Sequence, residues 1–322
     1  MKGSVVLAGL LILAAIFCAG CTGSSDAAPT GDTEQGKIFV SGAFALYPMM
    51  IKWSEEYKNI HPGVSFEISA GGAGKGMTDA LSDMVDIGMV SRDIYPEEHE
   101  QGVFYVAVTK DAVVGTINDK NPGVPAICSR GVTTDELEQI YVDNTVTNWQ
   151  QLTGLEGTDV AINQYTRSDA CGAASVWAKY IGGYYQEDLG GTAVFGDPGL
   201  ADAVCADTFG VGFNNINYAY DPTTGLPISG LRVLPLDLNG NGILDPEEDF
   251  YTTRSDLMDA IEAGTYPSPP ARDLYFVTKE EFSGPAKVFT EWVLTDGQQY
   301  VTETGYIPLP ASMLEDERAK VA

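Results

Sequence analysis

The chain has 322 residues, of which 44% are apolar and 20% charged, a composition typical of a globular protein with room for two domains. Its 45 acidic residues and 18 Lys and Arg give a net charge of −27, which repels a nucleic-acid backbone, so we expect no nucleic-acid partner. The only apolar run of membrane interest lies at the extreme N-terminus, which excludes a polytopic membrane protein.

The N-terminal residues predict an export signal. Lys2 precedes an apolar stretch over residues 5–19 that is too short to span a bilayer comfortably. The stretch leads into Gly20-Cys21, and small residues before a Cys resemble the lipobox of exported lipoproteins, in which the thiol is lipidated. We expect a signal peptide over residues 1–20, a lipidated Cys21, a flexible tether over residues 21–36 and an extracytoplasmic location on the cell membrane. An ordinary cleaved signal is the alternative.

Strands and helices then alternate along the chain. Residues 37–40 predict a strand, and the helix that follows has one apolar face, formed by Leu46, Met49, Met50, Trp53, Tyr57 and Ile60. Further strands are expected at residues 64–68, 85–90, 104–117, 160–162 and 274–277, with helices after the glycine-rich turn at 70–76, after Thr133 and over 286–294. This order predicts an α/β fold with a mainly parallel sheet.

Three predicted turns between a strand and a helix are rich in small residues. They are Gly42-Ala43-Phe44-Ala45, Gly71-Gly72-Ala73-Gly74 and Asp169-Ala170-Cys171-Gly172-Ala173. Backbone N–H groups at such turns favour an anion, and ligands of open α/β sheets lie at the carboxyl ends of strands. Arg92 follows strand 85–90 and Arg167 precedes the third turn, and arginine forks match tetrahedral oxyanions. The pattern therefore predicts an oxyanion site.

Several segments, in order along the chain, resemble a known family. GAFALYPMMIKWSEEY, SAGGAGKGM, VDIGMVSRDI, VAVTKDAVVGTIN, YTRSDACGAASVWAKY and WVLTDGQQYVTETGYIPL resemble blocks of the phosphate-binding protein of the phosphate ABC importer. The resemblance implies a two-lobed, hinged clamshell of the type II periplasmic binding protein kind, each lobe a mainly parallel sheet flanked by helices. Lobe 1 would comprise residues 37–115 and 270–322, and lobe 2 residues 116–269.

The same resemblance implies which residues form the anion site. They are Phe44, Ala45, Gly71, Gly72, Ser91, Arg92, Arg167, Asp169, Cys171, Gly172 and Ala173. Arg92 and Arg167 would balance the charge of the anion. Asp169 would accept a hydrogen bond from a protonated phosphate oxygen, which a fully ionised oxyanion such as sulfate lacks.

This chain departs from the family pattern at several site positions, where the family usually has Ser or Thr hydroxyls. The positions are Ala45, Gly71, Cys171 and Ala173. Backbone donors survive these replacements, but hydroxyl donors do not. Weaker binding, or another oxyanion such as tungstate, molybdate or arsenate, is therefore the alternative.

Three cysteines remain beyond Cys21, and outside the cell two of three are expected to pair. Spacing alone leaves the pairing open. Because the resemblance puts Cys171 in a site position, we expect Cys171 to stay unpaired and favour a Cys128–Cys205 disulfide. A small buried residue is the other interpretation of Cys171.

A second motif is independent of the first. Residues 237–248 (DLNGNGILDPEE) have the spacing of a twelve-residue calcium loop. The candidate ligands are Asp237, Asn239, Asn241, the carbonyl of Ile243, Asp245 and Glu248. Pro246 and the missing flanking helix patterns favour structural Ca²⁺ over a sensor that opens. An acidic surface turn is the alternative.

The sequence offers no catalytic constellation. His61 and His99 are the only histidines and lie in polar segments, so we expect neither an enzyme nor an organic cofactor. The resemblance implies a protein that captures phosphate between two lobes and delivers it to an ABC transporter permease, and we expect a monomer. A calcium-dependent cell-surface interaction protein is the remaining alternative.

Overall fold

The structure is a computed structural model and describes residues 35–322. The predicted signal peptide, the lipidated Cys21 and nearly all of the predicted tether lie outside the described residues. Across residues 35–322, none of the helices has the length and apolar character needed to cross a membrane.

Strands and helices alternate over most of the described chain. The strands are β1 (Gly36–Gly42), β2 (Val64–Ala70), β3 (Ile87–Val90), β4 (Val103–Asn118), β5 (Asn163–Arg167), β6 (Thr192–Val194), β7 (Gly210–Asn215), β8 (Leu231–Leu234) and β9 (Ala271–Lys279). The helices are α1 (Tyr47–Ile60), α2 (Ala73–Leu81), α3 (Pro96–Glu100), α4 (Val124–Arg130), α5 (Thr134–Tyr141), α6 (Trp149–Thr153), α7 (Gly172–Gly182), α8 (Gly196–Ala206), α9 (Ile216–Ala219), α10 (Arg254–Glu262), α11 (Gly284–Val293) and α12 (Ala311–Val321). Short 3-10 helices lie at Phe44–Leu46, Gln186–Asp188 and Asp296–Tyr300.

The strands pair in the order β2-β1-β3-β9-β4-β7-β5-β6, with β8 added beside β4. β1 pairs in parallel with β2 and β3, and β5 pairs in parallel with β6 and β7. Between these parallel groups, β4 and β9 run antiparallel to each other. The predicted α/β fold is confirmed, and the antiparallel centre is a feature that the predicted element order did not contain.

The buried side chains form two large hydrophobic cores. The first core draws on residues 38–108 and 274–321, and the second core on residues 112–271 together with Ile307. β4 contributes Val108 to the first core and Ala112 to the second, while β9 contributes Leu274 to the first and Ala271 to the second. Both strands therefore pass from one core to the other at the same level of the sheet. The lobe boundaries implied by the resemblance stay a prediction.

Local sequence signals mark the ends of two helices. α1 carries Pro48 in its first turn and ends before His61. Thr133 accepts a hydrogen bond from the N–H of Glu136 at 3.2 Å, and the Glu136 carboxylate accepts one from the N–H of Thr133 at 3.1 Å. These interactions involve only near neighbours in sequence, so the pattern determines them.

Three expectations about elements and bonds were wrong. Ile60, assigned to the apolar face of α1, is the last helical residue and is 57% exposed. Residues 160–162 make only an isolated bridge at Ala161, because pairing with β7 starts at Asn163. Cys128 and Cys205 are free thiols, and the Cys205 thiol is directed instead at the carbonyl of Ser229, 3.7 Å away.

Gly42 ends β1 at a point where three elements nearly touch. Its φ is +135°, and a Cβ there would lie 2.3 Å from the carbonyl oxygen of Met89. A Cβ on Gly76 of α2 would lie 2.5 Å from the same oxygen. α2 therefore packs directly on the backbone of β1 and β3, which brings the first two turns together.

We expect Gly42→Ala to destabilise the protein by about 2 kcal/mol or more beyond any loss caused by Gly102→Ala, because a Cβ driven into backbone atoms has no room to move. Gly102 also has positive φ, +83°, but nothing lies within 4 Å of its added Cβ, so it reports the conformational cost alone. Urea unfolding followed by tryptophan fluorescence measures both variants. Equal midpoints would contradict the close packing of α2.

Candidate functional site

The three predicted turns all connect a strand to a helix. β1 leads into Phe44–Leu46, β2 into α2 and β5 into α7. The N–H of Gly74 donates to the carbonyl of Ala170 at 3.0 Å, and a Cβ on Gly172 would lie 2.1 Å from the carbonyl oxygen of Ser91. The second turn, the third turn and the buried end of β3 therefore meet.

The first turn is fixed by tyrosines and faces an arginine. Tyr218 donates to the carbonyl of Phe44 at 3.1 Å, and Tyr306 donates to that of Ala45 at 2.6 Å. The Phe44 ring centre lies 5.4 Å from the guanidinium carbon of Arg167. The turn thus reaches residues that precede the third turn, and a cation lies over its aromatic ring.

The second turn uses its glycines differently from the prediction. The N–H groups of Gly71 and Gly72 both donate to the carbonyl of Gly42, at 2.9 and 3.1 Å, so these donors are engaged within the protein. Gly72 has φ of +92°, and a Cβ there would lie 2.8 Å from Oδ2 of Asp169. These glycines therefore permit a tight turn and a close approach, and the open donors of α2 begin at Ala73.

The third turn opens α7 with Gly172 and Ala173, both buried. The first N–H groups of a helix have no intrahelical partner, so these two donors are available to a ligand. Cys171 is the N-cap: its Sγ accepts from the N–H of Ala174 at 3.3 Å, and its own N–H donates to Gln186 at 3.0 Å. Burial raises the pKa of the Cys171 thiol to about 12, so it stays neutral.

Arg167 is held by two buried carboxylates. Nε and Nη2 donate to the two oxygens of Asp169 at 2.8 and 2.7 Å, and Nη1 donates to Asp197 at 2.6 Å. The three side chains are 0–4% exposed. Burial acts to lower the pKa of Arg167, but the carboxylates of Asp197 and Asp169 outweigh it and raise that pKa. A guanidinium has about five N–H donors, so Arg167 keeps donors for a ligand.

This buried group carries one positive and two negative charges when all its members are ionised. Its net charge is therefore negative before any anion arrives. Attraction for an anion must come from the oriented N–H groups of the turns and from the unused N–H donors of Arg167.

Arg92 is neutralised by a neighbour. Its Nη1 and Nη2 donate to the carboxylate of Glu98 at 2.9 and 2.6 Å, and its guanidinium carbon lies 3.8 Å from the centre of the Tyr95 ring. Arg92 lines a cleft of about 530 Å³ that is also lined by Gly74 of the second turn and by Ala170 and Cys171 of the third. The exposed Lys179 and Asp93 pair at 2.6 Å beside it. That Arg92 balances the charge of a bound anion stays a prediction.

Two residues of the site were not predicted. Asp197 lies in the first turn of α8 after β6, and Gly196 before it has φ of +73°. This is a fourth strand-to-helix turn with a glycine, a signal that could have found it. Gln186 donates to the carbonyl of Asp169 at 2.7 Å and so bridges the third turn, but a single Gln in a loop carries no signal.

The second motif forms a loop with buried ends. Asp237 and Glu248 are 5% and 6% exposed. Asp237 accepts hydrogen bonds from the N–H groups of Gly240 and Gly242 at 2.7 and 2.8 Å, and Glu248 accepts from two N–H groups of the loop, each at 3.1 Å. Over residues 35–322, no three Asp, Glu, His or Cys side chains converge as a metal site. The loop backbone therefore holds both carboxylates.

Comparison with known proteins gives matches along most of the chain. A family model of the PBP superfamily domain matches residues 27–297. The phosphate-binding protein PstS of Bacillus subtilis (strain 168) is 27% identical, with 96% of this chain and 95% of that protein covered. PstS of Methanocaldococcus jannaschii is 24% identical, with 95% and 92% covered.

Solved structures share the fold. A Clostridium perfringens substrate-binding protein with bound phosphate has a TM-score of 0.69 at 22% identity, covering 85% of this chain and 100% of that chain. An ABC-type phosphate transport receptor from Vibrio cholerae has a TM-score of 0.60 at 20% identity, with the same coverage of 85% and 100%.

We expect Arg167→Ala to destabilise the ligand-free protein by about 3–5 kcal/mol, since it leaves two buried carboxylates without a cation. Lys179→Ala removes the ion pair with Asp93, whose two side chains are 56% and 70% exposed, so it should cost less than about 1 kcal/mol. Chemical denaturation of both variants measures the difference. Equal small losses would show that Arg167 does not hold the site together.

Proposed function

The chain belongs to the PBP superfamily, and we propose on this basis that it captures phosphate and delivers it to an ABC importer. The observation that carries the proposal is that the first turn reaches Arg167, while the second and third turns meet at its partner Asp169. Two relatives named as phosphate-binding proteins cover 96% and 95% of the chain, which supports phosphate as the ligand. The function is binding, and no reaction is catalysed.

Main-chain donors and one arginine would hold the anion. The N–H groups of Gly172 and Ala173 begin α7, the hydroxyl of Ser91 lies against the same helix start, and Arg167 keeps unused N–H donors. Such donors are oriented before the anion arrives, so they need little reorganisation. They also remain when hydroxyl side chains are absent.

Asp169 is proposed to recognise the proton of phosphate. Its carboxylate accepts three hydrogen bonds, two from Arg167 and one from the N–H of Gly196 at 3.1 Å. A carboxylate offers about four acceptor positions, so one remains, on Oδ2. A protonated phosphate oxygen can donate to it, whereas sulfate would place one acceptor against another.

We propose that the protein works as a monomer at the outer face of the cell membrane, beside an ABC transporter permease. The proposed anchor is the lipidated Cys21, supported by the apolar stretch and the small residues before it. One lipid chain binds a membrane reversibly, so more than one chain is expected.

We also propose that residues 237–248 bind one structural Ca²⁺. The oxygen-rich donors fit a hard cation, and the nearly buried Asp237 and Glu248 have no ion-pair partner within residues 35–322. Asp237 and Glu248 would be the central ligands. The ion would offset the charge of buried carboxylates and fix the loop.

For the wild-type protein, we expect saturable one-to-one phosphate binding in calorimetry and no competition by sulfate. Gly172→Ala should weaken phosphate binding at least about tenfold, because its Cβ would meet the Ser91 carbonyl at 2.1 Å and hold the third turn away. Gly183→Ala is the matched control at the other end of α7, where nothing lies within 4 Å of the added Cβ.

Two outcomes would contradict this proposal. Heat with tungstate, molybdate or arsenate but none with phosphate would show that the ligand differs. Equal phosphate affinity for Gly172→Ala and Gly183→Ala would show that the anion lies elsewhere.

We expect Ca²⁺ to raise the thermal midpoint of the wild-type protein. At a Ca²⁺ concentration about 100 times Kd, the free energy of unfolding should increase by about 2.7 kcal/mol. Glu248→Gln should abolish this gain, since position 12 supplies the bidentate ligand. Asp221→Asn alters another acidic loop and serves as the control. A chelator that leaves the midpoint of the metal-loaded protein unchanged would rule out the ion.

A further inference from the structure

A buried ion pair lies where β4 and β9 pass between the two cores. Asp111 and Arg272 are directly opposite each other in the antiparallel ladder and are 1% and 8% exposed. Their nearest charged atoms are 3.5 Å apart. Within the described residues, the backbone N–H groups of Ala112 and Ile216 face the Asp111 carboxylate, but neither of its oxygens has a hydrogen bond of normal geometry, and Nε of Arg272 donates none. The pair is therefore incompletely satisfied.

The surroundings of Asp111 favour a proton on it. The charged and titratable groups that face it are Arg272 of β9, Asp197 of α8, Tyr218 of α9, and Tyr266 and Tyr306 from the adjoining loops. Burial raises the pKa of Asp111 to about 7, although the Arg272 guanidinium lowers it. Asp111 can therefore change its charge near neutral pH.

Arg272 connects this pair to the anion site. Its Nη1 donates to the carbonyl of Gly172 at 3.1 Å, and its Nη2 donates to the side chain of Asn215. The N–H of Asn215 donates to Asp197 at 3.0 Å, and Asp197 holds Arg167. Asn215 and Asp197 thus connect the guanidinium of Arg272 to that of Arg167 through hydrogen bonds.

The charges of the connected group do not cancel. Three carboxylates face two guanidiniums, which leaves a net charge of −1 when all are ionised. A proton on Asp111 makes the sum zero. Because like charges repel strongly in a buried site, an incoming anion favours the protonated form.

We propose that Asp111 is a positioning residue that takes up a proton when the anion binds, so that Arg272 supplies the second positive charge behind the third turn. This inference rests on the proposed function and goes beyond it, because it gives Arg272 the balancing role that the family resemblance implies for Arg92. Arg272 acts through Gly172 and Asp197 and does not touch the anion.

Linkage fixes the direction of the effect. If the bound anion raises the proton affinity of Asp111 by some factor, a proton on Asp111 raises the anion affinity by the same factor. Well below pH 7, Asp111 already carries its proton and binding needs none from solution. Above pH 7, the wild-type protein must take one up, so its affinity declines relative to a variant with a neutral side chain.

The test compares phosphate affinity of wild type and Asp111→Asn by calorimetry at about pH 5.5 and about pH 8. Asn is neutral throughout, and the ratio of the two affinities cancels the ionisation of phosphate itself. We expect a ratio near one at the lower pH and up to about tenfold tighter binding by Asp111→Asn at the higher pH. A ratio that does not change with pH overturns the proposal.

Asp273→Asn is the matched control. Asp273 pairs with Lys110 at 3.1 Å in the neighbouring position of the same ladder, and both side chains are partly exposed. Here the acid lies on β9 and the base on β4, the reverse of Asp111 and Arg272. It makes the same charge change away from the site, so its affinity ratio should not vary with pH. An equal gain for Asp273→Asn would assign the effect to surface charge and overturn the role of Asp111.

Thermal unfolding without ligand separates this inference from the proposed function. Since the folded-state pKa of Asp111 is raised from 3.8 to about 7, the wild type should lose stability as pH rises between these two values and level off above them, and Asp111→Asn should lose less. If the wild type binds no phosphate, the proposed function fails. Independently of that result, the same pH dependence of stability for wild type and Asp111→Asn would show that Asp111 does not titrate in this range. If Asp111→Asn does not fold, Asp111→Ser is a second neutral variant, and we expect the same ratio of phosphate affinities for it.

Discussion

One buried guanidinium holds the parts of the proposed anion site in register. Arg167 ends β5, Asp169 belongs to the third turn and Asp197 begins α8, so their ion pairs fix a strand end to two helix starts. Buried pairs of this kind add little net stability but are costly to break, so they specify a geometry more than they strengthen a fold. The same carboxylates leave the site negative. The oriented N–H groups of the turns matter because they bring partial positive charge without a counter-charge.

Glycines determine how closely the elements around Arg167 approach each other. At Gly42 and Gly76, backbone meets backbone and α2 lies directly on the sheet. Gly72 and Gly172 do the same for the second and third turns. An anion contacted by several turns at once needs all of them within hydrogen-bond reach, and that reach exists only where no side chain intervenes.

Features that depend on nearby residues could be predicted from the sequence, and those that depend on tertiary approach could not. The capping pair at Thr133, the alternation of strands and helices and the three turns all follow from local patterns. Nothing in the spacing distinguishes Glu98 from other acids as the partner of Arg92, or Asp197 as the partner of Arg167. Equally, the antiparallel centre joins segments more than 150 residues apart, as in the pairing of Val103 with Lys279, and strand direction is set only when they meet.

In the proposed site most of the donors are main-chain N–H groups, so their presence does not depend on which side chain the gene encodes. A replacement at Ala45 or Ala173 leaves the N–H in place, whereas a Cβ at Gly72 would meet the opposite turn at 2.6 Å. The proposed pocket therefore depends on atomic clearance more than on side-chain functional groups. Exchange of a hydroxyl residue for alanine or cysteine keeps the main-chain donors, whereas a mutation that fills the space between the turns would separate them.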